Sequence, residues 1–148
     1  MACGLAAAPG AGASPPRPCA PRASTVDGRR AVTYCGPATV TIEVDGTTYR
    51  FRGGLCDLSK TVRGLSLDVG TQVPGAAGNG GRSFVSLVIA HSPSESDAFE
   101  ADSGGQRLFA DTVIVPAAPL YARGTFTSEF GVAFSGSWDC GGTIWFGP

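Results

Sequence analysis

Histidine and lysine are nearly absent from this chain. His91 is the only histidine of the 148 residues, and Lys60 is the only lysine among the eleven cations. A Ser-His-Asp hydrolase would therefore have to run through His91, with Asp97 and a remote serine, and no G-x-S-x-G elbow accompanies it. An exposed turn histidine is the simpler reading. The cysteines at positions 3, 19, 35, 56 and 140 contain no C-x-x-C pair. A structural zinc site needs four ligands in close local pairs, so this spacing excludes one. Charged residues make up only 16% and the formal net charge is -1, which leaves no basic face for nucleic acid. Nor is there any apolar run of the eighteen or so residues a membrane-crossing helix requires, or a sustained helical periodicity.

What is present is glycine and proline, 22 and 11 residues, set between short apolar runs. Helix interiors tolerate neither well, so the composition is that of a turn-rich β-protein. Thr39–Val44 alternates polar and apolar residues, Asp45-Gly46 follows, and Thr47–Arg52 alternates again. An Asp-Gly between two such runs is the strongest short-range hairpin signal. Tyr49 and Phe51 then share one face and Arg50 and Arg52 the other. Further strands are expected at Gly64–Val69, Ser83–Ala90 and Arg107–Val115. Tyr121–Phe126 and Val132–Cys140 should form a closing hairpin with Gly131 near its turn, and GGTIWFGP a short last strand. The fold expected is all-β, a compact antiparallel β-sandwich or barrel of about eight short strands. Residues 31–148 would be this disulfide-stapled domain. Residues 1–30, rich in Ala, Pro and Gly with almost no large apolar side chain, would be a disordered, flexible tether.

Widely spaced cysteines in a small Gly-rich chain fit disulfides in an oxidising, extracytoplasmic compartment. Four of them allow three pairings. The pairing preferred is Cys56–Cys140, which would clamp an early strand to a late one, with Cys19–Cys35 tying the tail to the first strand. The odd cysteine is Cys3. Ala2-Cys3-Gly4 resembles the lipid-attachment site of a bacterial lipoprotein, although the charged and apolar stretches of a signal peptide do not precede it.

Two further segments are read as structural. Ser94–Asp102 holds four carboxylates but no EF-hand pattern, and is expected to be a solvated turn and edge strand. Gly75–Ser83 is Gly-rich but lacks the Lys-Ser/Thr of a phosphate loop. No cofactor or metal is expected. Phe126, Phe130, Phe134 and Trp138 should be largely core, Val132 should share the face of Phe134 and Trp138, and Trp145 and Phe146 are candidates for a ligand or partner surface.

Gly124–Cys140 together with Thr39–Cys56 resembles small actinobacterial cell-envelope lipoproteins, and the nearest that can be named is the mycobacterial 19 kDa lipoprotein antigen family. Cys3, Cys56 and Cys140 match that layout, whereas Cys19 and Cys35 depart from it. The resemblance implies an envelope protein held to the membrane through its N-terminal lipid, and the chain is expected to be non-catalytic and monomeric. Its β-domain would bind a lipid, a glycolipid or another envelope component. The alternatives are the His91 hydrolase and a purely structural surface domain.

Overall fold

The computed structural model describes residues 19–59, 64–74, 83–90, 97–103, 106–116 and 122–146, without side-chain detail for 59, 106–111 and 146. These residues form eleven strands and no helix. In chain order they are β1 (Arg22–Val26), β2 (Arg29–Thr33), β3 (Ala38–Val44), β4 (Thr47–Ser59), β5 (Gly64–Gln72), β6 (Phe84–Ala90), β7 (Asp97–Ser103), β8 (Gln106–Ile114), β9 (Arg123–Ser128), β10 (Ser135–Asp139) and β11 (Trp145–Phe146). Strands β3 to β10 each pair antiparallel with the next, and β10 returns to pair with β3. The result is a closed eight-stranded meander. Closure removes the sheet edges that an open sandwich would expose.

The β3–β4 hairpin is the one expected. Asp45 and Gly46 both take positive φ (48° and 73°), as a two-residue turn matched to strand twist requires. Phe51 is buried and Arg50 and Arg52 are exposed. β4 runs well beyond the expected Arg52. It bends at Gly53-Gly54, leaving β3 to pair with β5 from Gly54 to Ser59.

Apolar residues alternate inward around the ring. Val40 and Ile42 come from β3, Leu65, Leu67 and Val69 from β5, and Val85, Leu87 and Ile89 from β6. The remaining side is filled by rings. Phe99 lies 4.8 Å from Phe126 and 5.5 Å from Phe134 between ring centroids, and Phe126 stacks on Trp138 at 6.4 Å. An eight-stranded barrel is just wide enough for side chains to fill, and these buried side chains pack together inside it. Room for the rings comes from two half-buried glycines. Gly124 lies under the Trp138 ring and Gly136 under the Phe126 ring, where a Cβ at either position would collide with the ring above it.

Two disulfides are formed, Cys56–Cys140 and Cys19–Cys35, with Cα–Cα distances of 5.6 and 5.7 Å. The first is buried within the barrel core and links β4 to the end of β10. The second closes the base of a hairpin outside the barrel.

That hairpin corrects the boundary at residue 30. β1 and the first two residues of β2 lie inside the segment expected to be a flexible tether, and the described residues are ordered from Cys19 on. Asp27-Gly28 forms their turn, both residues at positive φ, and the strands pair from Arg22↔Thr33 to Val26↔Arg29. A disulfide supplies the ordering that this apolar-poor segment lacks, and a small cluster of Val26, Ala31 and Val73 adds to it. A second correction concerns β7. Acidic as it is, it is no edge strand, since β6 and β8 pair on its two sides and Asp102 is buried.

Candidate functional site

Cys3, the candidate lipidation site, His91 and the glycine-rich stretch 75–82 lie outside the described residues. Trp145 is half-buried in β11, which pairs parallel to β4 as Trp145↔Asp57 and Phe146↔Leu58. The backbone pairing makes this segment part of the barrel wall. Among the other aromatic candidates, Phe126, Phe134 and Trp138 are core, but Phe130 is 65% exposed. Val132 does not continue β10 and is 57% exposed.

The reason lies in the β9–β10 connection. Ser128 N donates to the Phe134 carbonyl at 3.0 Å, and Phe134 N donates to Ser128 Oγ at 3.1 Å. These bonds pinch the chain, and Gly131 turns it at φ 72°. Residues 129–133 (EFGVA) are thereby projected as a fully exposed, mostly apolar loop. Beside it, the β3–β4 turn and this loop enclose a groove of about 500 Å³. Its lining joins the carboxylates of Glu43 and Asp45 to Val44, Ala133 and Phe134.

A second, smaller groove of about 300 Å³ runs along the outer face of β10. It is lined by hydroxyls of Thr39, Thr41, Thr125 and Ser137, with Arg123 and Asp139 at one end. With Arg50 and Arg52 on β4, this outer wall is polar while the lumen is apolar. A membrane-spanning barrel has the opposite arrangement, an apolar outer band around a polar interior. No helix of the described residues is long and apolar enough to cross a membrane.

The outer face of β5 holds a half-buried acid. Asp68 pairs in register with Ser86 and accepts a hydrogen bond from Ser66 Oγ at 3.2 Å. Burial raises its carboxyl above the usual range and the nearby Asp57 charge adds to this, while hydrogen bonds from Ser86 and Ser66 pull it back. Tyr34 lies close by. Its phenol is pushed up to about 12, first by burial and then by the Asp68 charge, and it donates to Gln72 Oε1 at 3.4 Å. Two groups with raised pKa values side by side are a reason to look for acid–base chemistry. Here, however, the Ser66 and Ser86 hydroxyls are taken up in hydrogen bonds to the acid. Among the described residues no group of three His, Cys, Asp or Glu side chains converges as a metal site.

Residue types foretold none of these features except the hairpins. The Asp27-Gly28 dipeptide between Ser-Thr-Val and Arg-Arg-Ala-Val was the available signal for the β1–β2 arm. Nothing in the alternation of residues 128–135 distinguishes a projecting loop from a strand.

The chain matches no family model, no curated protein and no solved structure.

Proposed function

We propose that this chain is a non-catalytic, lipid-anchored protein of a cell envelope, whose barrel presents its outer surface to another envelope component. The carrying observation is the pairing of the cysteines. Cys19–Cys35 and Cys56–Cys140 use four of the five, and Cys3 is the one left over. Two disulfides fit an oxidising compartment, and Cys3 stands in an Ala-Cys-Gly context that resembles a lipid-attachment site. The layout of Cys3, Cys56 and Cys140 resembles that of small actinobacterial envelope lipoproteins.

The filled lumen narrows what the barrel does. A lipid or glycolipid carried inside it would have to displace Phe126, Phe99 and Trp138, so recognition belongs to the outer surface. The grooves at the β3–β4 turn and along β10 are two concave places on that surface among the described residues.

Fractionation of the native host tests the reading. The wild-type chain is expected in the membrane fraction, and a Cys3→Ser chain in the soluble extracytoplasmic fraction. Unchanged membrane association of the variant would remove the lipid anchor from the account.

A further inference from the structure

We propose that a second copy of this chain covers the barrel end that carries the β3–β4 turn and the β9–β10 loop, each copy laying its β1–β2 arm into the acidic groove of the other. The inference starts from direction. β2 runs antiparallel to β5, with Thr33 opposite Thr71 and Val32 opposite Gln72, the last residue of β5. Residues 26–31 therefore continue past the end of β5, and the Asp27-Gly28 turn lies roughly 13 Å beyond it at about 3.3 Å per residue. β5, β3 and β9 all end at this same rim, because alternate strands of a meander share a direction. The arm tip, the 129–133 loop and the 45–46 turn thus project from one end of the barrel.

Their chemistry is complementary. The arm tip presents Arg29 and Arg30, both exposed, with Asp27 the only acid beside them. The groove presents Glu43 and Asp45, and Glu129 stands exposed in its neighbouring loop. In the same loop Phe130 and Val132 are exposed at 65% and 57%, two close apolar side chains that a second copy would cover. The arm is rigid enough to act as a plug, since the Cys19–Cys35 bridge closes its base and Val26 and Ala31 pack on Val73.

Because plug and groove share one end, a twofold axis through that end satisfies both at once. Such an isologous contact closes as a dimer, whereas opposite ends would have given an open filament. A bilayer is a poorer occupant, since the described charges at this end are two arginines against four carboxylates.

The test uses the full chain with Cys3→Ser, so that no intermolecular bridge forms through that thiol. Sedimentation velocity across a concentration series reaching the hundred-micromolar range is expected to show the 15.0 kDa chain doubling in mass, with the dimer lost at high salt. An R29E/R30E chain and an E43R/D45R chain should each sediment as monomers while keeping the wild-type circular dichroism spectrum. Mixed in equal amounts they should dimerise, because each arm then meets a groove of opposite charge. A wild-type monomer throughout the series would overturn the proposal. So would charge variants that dimerise as well alone as together, or a Phe130→Asp chain that dimerises as strongly as wild type.

Discussion

Gly124 and Gly136 set how much aromatic surface the lumen can hold. Each lies beneath a ring, Trp138 or Phe126, with no space for a methyl group. Overpacking of this kind costs about 1–3 kcal/mol, so Gly124→Ala and Gly136→Ala should each lower the urea midpoint without changing the slope of the transition. Asp68 gives the converse case. Burial raises its folded-state pKa above the unfolded one, so its native form binds the proton more tightly. Its contribution to stability is full at acid pH and falls as pH rises from the ordinary aspartate range through the raised value. Asp68→Asn is therefore expected to be more stable than wild type at neutral pH, with the difference closing in acid; equal denaturation midpoints at both pH values would contradict this. Tyr34 acts at the other extreme, its contribution present below pH 10 and lost as pH climbs toward about 12.

At the scale of elements, the two disulfides do different jobs. Cys56–Cys140 spans 84 residues and is buried, and Cys19–Cys35 spans 16 with Cys19 exposed. In the chain-entropy account such loops stabilise by about 4.5 and about 3 kcal/mol respectively. Graded thiol reduction followed by alkylation should label Cys19 and Cys35 first, with the barrel's spectrum intact, and Cys56 and Cys140 only on unfolding. Simultaneous labelling of all four would mean that the arm and the barrel open together. The barrel strands were largely legible because one face of each is buried in a core, which writes an alternating pattern into residues 39–52, 64–69 and 83–90. The arm was not, because its residues are mostly exposed and a covalent bridge replaces the apolar face. β7 was misjudged as an edge because carboxylates at 97, 100 and 102 look solvated. Closure of the barrel buries Asp102, and no local pattern announces closure.

For the molecule as a whole, the apolar, ring-packed lumen and the hydroxyl-lined outer face of β10 support the proposal that recognition uses the outer surface. Titration with a fluorescent acyl-chain probe should give no saturable signal and no quenching of Trp138, because Phe99, Phe126, Phe134 and Trp138 pack against one another in the described part of the lumen. A saturable complex that protects the barrel from denaturant would place a ligand inside and overturn the surface account. The candidate site was the least legible part. Cysteine spacing pointed to the compartment and to Cys3, but groove, arm and loop arise only when strands distant in sequence end at one rim.

Intact-mass measurement of the protein taken from its native membrane fraction, before and after reduction, tests the central claim most directly. The account predicts a polypeptide carrying a diacylglyceryl group on Cys3 that gains four hydrogens, one pair for each disulfide, on reduction. An unmodified Cys3 in the membrane-derived protein, or five free thiols before any reductant is added, would contradict it.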